Sequence, residues 1–226
     1  MRNSSCLLAA QNRWTSGLPP QQYTLLFKCA RAVEATIRDP LPSEFDTIRQ
    51  IALSSFPVPE WLFAYPENCG HYAPECRKKG MRVLVAENKR GRLAGYIYFE
   101  CRGRDEIYVK ELAARPAEKA DTISHAGVLL LAEALQASLG QGRFARTSLN
   151  VIQPHRVAVP GVWRDPVPYY EKFGYSVVPG GPKYRLGSYH WREDTWMSGD
   201  VGLICRRLTQ YLKASFNIVC HDRRTR

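Results

Sequence analysis

Residues 105–139, DEIYVKELAARPAEKADTISHAGVLLLAEALQASL, decide how the rest of the chain is organised. The stretch opens with β-branched and aromatic residues at 107–109, which predict a strand that runs on to Ala114. A basic, polar loop over residues 115–122 follows, and apolar residues then recur at helical spacing up to Leu139. This order predicts an anion site, because the first turn of a helix presents unpaired N–H groups and the positive end of its dipole.

Length and composition bound the class of protein. The 226 residues suffice for one domain with a full core, and 45% apolar and 23% charged residues are ordinary globular values. No apolar run reaches the roughly 18 residues that a membrane-spanning helix needs. The net charge of +11 favours anionic partners such as nucleic acid, phosphorylated cofactors, an acidic protein or a membrane surface; alternatively it serves only solubility.

The cysteines do not form the pattern of a disulfide framework. There are seven of them, an odd number spread from Cys6 to Cys220, which favours a reducing, cytoplasmic compartment. Cys69, His71 and Cys76 lie close together in a loop, but they lack a C-x-x-C pair and a fourth ligand. No metal site is therefore predicted.

Both ends of the chain are predicted to lie outside the main domain. Residues 1–30 contain no acidic residue and show weak periodicity, which predicts a mobile N-terminal arm or, alternatively, a targeting or secretion segment. Residues 199–226 predict a terminal helix followed by a very basic tail. The main domain between them covers residues 31–198.

Periodicity divides this domain into strands and helices. Besides the opening stretch, strands are predicted over residues 33–38, 81–87, 93–101, 146–152, 175–178 and 184–197. Helices are predicted over residues 41–56, 123–139, 169–173 and, at the C-terminal end, 201–216. The order of elements is that of an α+β protein with a mixed sheet and packed helices.

Three segments of this pattern, within residues 32–197, resemble the GCN5-related N-acetyltransferase (GNAT) family. The hairpin GRLAGYIYFE at residues 91–100 is similar to the family's second and third strands. ELAARPAEK at 111–119, followed by HAGVLLLAEAL at 125–135, is similar to its fourth strand, pyrophosphate loop and following helix. YYEKFGY at 169–175 is similar to the family's "lYeklGF" ending.

The loop departs from the family pattern Pro-x-x-[Gln/Arg]-x-x-Gly-x-[Gly/Ala]. Pro116 is followed by Lys119 at the Gln/Arg place. Ser124 stands at the middle glycine and Ala126 at the last small position, once about two inserted residues are allowed. A Pro-rich insertion at 153–168 also separates the fifth strand from the tyrosine motif. The resemblance is therefore to a GNAT domain with a degenerate pyrophosphate loop.

The resemblance implies a fold and a co-substrate site. The central sheet would be mixed and mainly antiparallel, splayed between strands 4 and 5, with helices on both faces. Acetyl-CoA would lie in the splay, with its pyrophosphate on the following helix. The residues implied to bind it are Leu112, Ala113, Ala114, Arg115, Lys119, Ser124, His125, Ala126, Gly127, Val128 and Asn150.

The implied activity is N-acetyl transfer to an amine acceptor by direct attack. Tyr170 is the implied acid for the leaving thiolate, although it is alternatively a packing tyrosine. Glu111 on the fourth strand is the candidate base, with Glu106 or a water as alternatives. The acceptor amine would belong to a protein, an RNA-linked group or a small molecule. An alternative of another class is a non-catalytic GNAT-like module that binds nucleic acid or an acidic partner through its basic face.

Overall fold

A computed structural model describes eight strands and four α-helices within residues 35–55, 81–103, 105–115, 125–139, 145–152, 166–180, 183–186 and 190–216. The strands are β1 (Ala35–Arg38), β2 (Met81–Asn88), β3 (Leu93–Arg102), β4 (Glu106–Ala114), β5 (Arg146–Ile152), β6 (Ser176–Val177), β7 (Lys183–Leu186) and β8 (His190–Asp200). The helices are α1 (Phe45–Ser55), α2 (Ala126–Leu139), α3 (Val167–Phe173) and α4 (Val201–Ser215). In these ranges no helix is long and apolar enough to cross a membrane.

The strands form one mixed, mainly antiparallel sheet. Its order is β1-β2-β3-β4-β5-β8-β6, with β7 paired to β8 beside this path. All neighbours run antiparallel except β4 and β5, which are parallel and joined through α2. The predicted α+β class and mixed sheet are confirmed.

The sheet opens between β4 and β5. Their parallel pairing starts at Glu106 and Arg146 and ends at Val109 and Leu149, although both strands continue. Residues 110–114 and 150–152 therefore face each other without a ladder, and we call the space between them the β4–β5 gap. The predicted splay between strands 4 and 5 is confirmed.

A β-bulge marks the start of this gap. Tyr98 pairs with Glu111 and the next residue, Phe99, pairs with Val109, so that Lys110 is an extra residue in β4. A bulge bends its strand and increases the local twist. The bend falls where β4 stops pairing with β5, which gives a physical reason for the opening.

Beyond the bulge, β4 stays close to β3 because β3 carries a glycine there. Gly95 pairs with Ala114, and a Cβ on Gly95 would lie 2.7 Å from the Ala113 carbonyl oxygen and 3.1 Å from the Ala114 Cα. Both neighbours are backbone atoms, which cannot rotate away as a side chain can. Gly95 thus sets the path of β4 along the gap.

Different helices cover the two faces of the sheet. On one face Ile48 and Ile51 of α1 pack in a core with Tyr96 and Tyr98 of β3. On the other face α2 and α4 pack in a larger core with the alternate residues of the strands, which include Ile97, Phe99, Ile107, Val109, Leu149 and Val151. The predicted placement of helices on both faces is confirmed.

Helix α4 is part of this larger core. Its N-cap is Asp200, whose Oδ1 accepts a hydrogen bond of 2.6 Å from the Leu203 N–H. Its buried residues recur every three or four positions, as expected of one buried stripe. They are Val201, Ile204, Cys205, Leu208 and Leu212.

The tyrosine motif folds with shifted boundaries. Helix α3 begins at Val167, two residues before the prediction, because Pro168 is tolerated in the first turn of a helix. The predicted strand at 175–178 shortens to Ser176–Val177, since the Tyr175 N–H donates to the Tyr170 carbonyl (3.2 Å) at the helix end. Gly174 ends the helix with φ 99°, a left-handed conformation that glycine adopts without strain.

Candidate functional site

One wall of the β4–β5 gap is backbone. Leu112 and Ala113 pair with Ile97 and Tyr96 of β3, and their opposite edge is not paired with β5. A strand edge of this kind presents N–H and C=O groups that an extended, amide-containing chain can pair with. The backbone of residues 112–114 therefore suits a linear ligand with amide bonds.

The first turn of α2 supplies the second element of the site. Ala126 and Val128 are buried and Gly127 is half-buried. The N–H groups of the first turn have no intrahelical partner and carry the positive end of the dipole. A Cβ on Gly127 would lie 3.7 Å from the Tyr169 hydroxyl, so the first turn of α2 faces the Tyr169 side chain of α3.

His125 stands directly before this turn in a strained conformation. Its φ of 61° is the only positive value among the non-glycine residues that the structure describes. A left-handed residue with a side chain costs about 1–2 kcal/mol. Its carbonyl accepts the hydrogen bond from Leu129 that begins α2 (3.0 Å), and its Nδ1 lies 3.1 Å from the Tyr211 hydroxyl of α4. The imidazole is thus held by α4.

Arg115 supplies a cation at the end of β4. Its backbone N–H donates to the Ala94 carbonyl (2.8 Å), and this hydrogen bond holds the Arg115 backbone against β3. Its side-chain Nε is buried and has no hydrogen-bond partner within the described part of the chain. Lys119 and Ser124 lie outside the described residues, as do the cysteine and histidine cluster at 69–76 and residues 1–30. An orphaned guanidinium nitrogen fits an anionic group better than a neutral one.

Tyr170 lies on the α2 side of the sheet. It is half-buried, packs against the larger core, and contacts Tyr169 and Tyr175 edge-on with centroid distances of 5.2 and 5.7 Å. Burial raises the pKa of Tyr170 to about 12, because the phenolate would lose its hydration. The hydroxyl is therefore protonated at neutral pH and can donate a proton or a hydrogen bond.

Glu111 lies on the α1 side. It pairs with Tyr98, and its Oε2 accepts a hydrogen bond of 2.8 Å from the Tyr96 hydroxyl. Both tyrosines belong to the core under α1, so the carboxylate and the Tyr170 hydroxyl approach the sheet from opposite faces. Tyr96 was not among the predicted site residues, because it stands within the apolar run of the predicted strand over residues 93–101.

Glu106 lies in the paired part of β4. Its partner across the parallel ladder is Arg146, and its Oε1 accepts a hydrogen bond of 2.5 Å from the Ser148 hydroxyl. It precedes Glu111 by five positions, and the β4–β5 gap begins only after Val109. Of the two predicted carboxylates, Glu111 is the one beside the gap.

Asn150 is the first residue of β5 beyond the paired section. Its Nδ2 donates to the Tyr108 hydroxyl (3.2 Å), and Tyr108 stacks on Trp196 with a centroid distance of 5.5 Å. Asn150 and Tyr108 lie on the same face of the sheet as Glu111, since the alternate residues Val109, Leu149 and Val151 belong to the larger core. The sequence carried no sign of the Tyr108–Trp196 stack, which joins strands 88 residues apart.

This arrangement, a mixed sheet that opens between its fourth and fifth strands beside a helix start, defines the fold class of the GCN5-related N-acetyltransferases. The spermidine/spermine N-acetyltransferase SpeG from Vibrio cholerae superposes with a TM-score of 0.53 at 13% identity, over 77% of this chain and 98% of that one. A GNAT-family acetyltransferase from Staphylococcus aureus superposes with a TM-score of 0.53 at 13% identity, over 74% and 99%. No protein-family model and no curated protein sequence matches the chain. The chain has the GNAT fold.

Proposed function

We propose that the protein is an N-acyltransferase that moves an acetyl group from acetyl-CoA to an amine by direct attack. The observation that best supports this proposal is the opening of the sheet between β4 and β5 beside Glu111, with Tyr170 packed against the core on the opposite face of the sheet. Direct transfer needs a base on the side where the amine enters and an acid on the side where the thiolate leaves. Glu111 and Tyr170, on opposite faces of one sheet, would take these two roles.

Binding of acetyl-CoA would use backbone more than side chains. The free edge of residues 112–114 would pair with the pantetheine amides. The N–H groups of Ala126, Gly127 and Val128 would receive the diphosphate, which a helix start favours. Arg115 would add a charge-assisted contact, and Lys119, Ser124, His125 and Asn150 remain predicted contacts.

On the amine side, Glu111 would remove the proton. The amine nitrogen forms a bond to the carbonyl carbon, and the proton that it loses goes to the Glu111 carboxylate directly or through a water. The Tyr96 hydroxyl, bonded to Oε2, would hold the carboxylate in place. Tyr96 therefore acts here as a positioning residue.

On the thiol side, the carbon–sulfur bond breaks and Tyr170 would protonate the sulfur. A phenol with a pKa of about 12 would be too weak an acid for a thiolate in water, whose pKa is about 8.5. A thiolate held out of water would also lose its hydration, so its pKa would rise by the same physical effect and approach that of the phenol.

We expect Glu111→Gln to lower kcat/KM about 100-fold at pH 7, within the usual range for loss of a general base. The deficit should shrink as the pH approaches the pKa of the amine, about 10, because the free amine then needs no base. The assay is release of free CoA with a panel of amines. Spermidine is the first amine to assay, because the name of SpeG gives it as a substrate of that enzyme.

The matched control is Glu106→Gln, which changes a carboxylate on the same strand that lies in the paired section. This variant should keep kcat/KM within about twofold. Equal losses of kcat/KM in the two variants would mean that Glu111 acts through the stability of the strand. A Glu111→Gln variant with the wild-type kcat/KM would contradict the role of Glu111 as the base.

A further inference from the structure

The β-bulge places two charged side chains of β4 next to each other on the α1 face of the sheet. Neighbours in a regular strand point to opposite faces, but Lys110 is the extra residue of the bulge. Its ammonium lies 5.4 Å from the centre of the Tyr98 ring, and the Glu111 carboxylate accepts its hydrogen bond from Tyr96. Both tyrosines belong to the core under α1. The first two residues of β4 in the gap, a cation and the proposed base, therefore share one face.

Lys110 differs from the charged residues near it in its lack of a polar partner. The Arg102 guanidinium pairs with the Glu100 carboxylate, and Glu106 accepts a hydrogen bond from Ser148. The Lys110 ammonium has the Tyr98 ring beside it and no carboxylate within ion-pair distance among the described residues. Lys110 is half-buried, so its charge has lost part of its hydration. Its surroundings therefore suit an anionic group supplied by a ligand.

The position of Lys110 relates this anion to the acceptor amine. An amine that attacks in the gap gives its proton to Glu111, so its nitrogen lies beside that carboxylate. Lys110 is the adjacent residue on the same face, so it can reach an anionic group that stands close to the amine in the same molecule. A polyamine would instead bring a second ammonium towards Lys110, and a like-charge contact of this kind lowers affinity.

We propose that Lys110 is a specificity-determining residue and that the acceptor is an amine with a carboxylate on the neighbouring carbon, as in a free α-amino acid. Lys110 binds this carboxylate, which the reaction leaves unchanged. The amine nitrogen bonds to the acetyl carbonyl carbon, its proton goes to Glu111, and the CoA thiolate leaves and is protonated by Tyr170. The products are an N-acetyl amino acid and free CoA. This inference rests on the proposed function and names the class of its acceptor.

The first test compares acceptors. The standard L-amino acids, their carboxamides and spermidine are assayed by release of CoA from acetyl-CoA. The best free acid should have a kcat/KM about 10- to 100-fold above that of its own amide, the effect of one hydrogen bond between charged groups. The amine of the amide is the more easily deprotonated, so a preference for the acid opposes intrinsic reactivity. A panel in which no free acid reacts faster than its amide overturns the inference.

The second test removes the cation. Lys110→Met keeps a flexible side chain without the charge, and KM for the best free acid should rise about 10- to 100-fold with kcat within about twofold. KM for the amide and KM for acetyl-CoA should not change. Lys110→Arg, which retains a cation, should retain the preference for the acid. A loss of kcat with acid and amide alike would mean that Lys110 acts only through Glu111, which overturns its role in binding the acceptor.

Lys172→Met is the matched control. Lys172 also holds its ammonium over an aromatic ring, 4.1 Å from the centre of Tyr211, but it belongs to α3, which packs on the larger core. This variant makes the same change in net charge and should keep KM for both the acid and the amide. An equal rise of KM in the two variants would assign the preference to the overall charge of the chain and overturn a specific contact.

The failures of the two proposals are distinguishable. A wild-type protein that neither binds nor uses acyl-CoA overturns the proposed function and this inference with it. A wild-type protein that binds acetyl-CoA and acetylates spermidine or the amides as fast as the free acids overturns the inference alone.

Discussion

Replacing Tyr170 with phenylalanine is expected to lower kcat about 100- to 1,000-fold and to leave the Kd for acetyl-CoA unchanged. The substitution removes the hydroxyl and keeps the ring, whose edge contacts with Tyr169 and Tyr175 hold the half-buried side chain. The leaving sulfur then departs without a proton donor. The measurement is steady-state CoA release with the best amine, alongside calorimetric titration of acetyl-CoA.

The pH profile gives an independent check on the same hydroxyl. Burial disfavours the phenolate, so the pKa of Tyr170 is raised to about 12 and the acid form persists well above neutral pH. The wild-type rate should therefore rise as the amine deprotonates and show no descending limb between pH 8 and pH 10. A descending limb there that Tyr170→Phe abolishes would contradict the raised pKa.

Tyr175→Phe is the matched control. Its hydroxyl belongs to the same core, but it contacts the Thr147 hydroxyl of β5 (3.2 Å). This variant should lose stability and keep kcat within about twofold. If Tyr170→Phe behaves in the same way, Tyr170 is a packing tyrosine and another donor protonates the sulfur.

Gly95→Ala is expected to lower both the stability of the fold and the affinity for acetyl-CoA. The new Cβ would lie 2.7 Å from the Ala113 carbonyl oxygen, so β3 and the end of β4 must move apart. Forcing a methyl group into such a contact costs about 1–3 kcal/mol of the free energy of unfolding. The displaced segment is the free edge proposed to pair with pantetheine, so the Kd for acetyl-CoA should also rise. Urea denaturation and calorimetric titration measure the two effects.

Gly202→Ala provides the comparison. Gly202 lies in the first turn of α4, and its Cβ would meet only side-chain atoms, the closest being Asp200 Oδ1 at 3.3 Å. Because alanine favours the helix by up to about 1 kcal/mol over glycine, this variant should keep or gain stability and leave Kd unchanged. A Gly95→Ala protein as stable as Gly202→Ala would show that β4 is not held against Gly95.

The sequence predicted the strands and helices because they carry strong local periodicity. The β2 and β3 strands are nearly continuous apolar runs, as expected of strands covered on both faces, and α4 shows a complete apolar stripe from Val201 to Leu212. The opening between β4 and β5 followed from resemblance rather than periodicity. Its physical cause, the bulge at Lys110, depends on the register of a neighbouring strand.

That bulge also explains why the faces of the site residues could not be predicted. Simple alternation would place Val109, Glu111 and Ala113 on one face of the sheet. The extra residue at Lys110 reverses the alternation, so that Val109 packs in the α2 core while Ala113 packs in the α1 core and Glu111 bonds to Tyr96. A one-residue shift in register moves every later side chain to the other face.

The contact between His125 and Tyr211 could not be predicted from the sequence, for a different reason. The two residues are 86 positions apart, and neither belongs to a motif that requires the other. The left-handed conformation of His125 could not be read from its residue type, because positive φ is uncommon for any residue other than glycine, even though histidine adopts it more often than most. Only the packing of α4 on the start of α2 brings the pair together.

The most direct test of the central claim is calorimetric titration of the wild-type protein with acetyl-CoA. We predict one site per chain with a Kd on the order of micromolar, in the usual range for enzyme substrates. Arg115→Ala should weaken this binding, because the guanidinium would lose its anionic partner. No heat and no thermal shift at millimolar acetyl-CoA would contradict the account, and salt-dependent nucleic-acid binding by the +11 chain would then be the function to test.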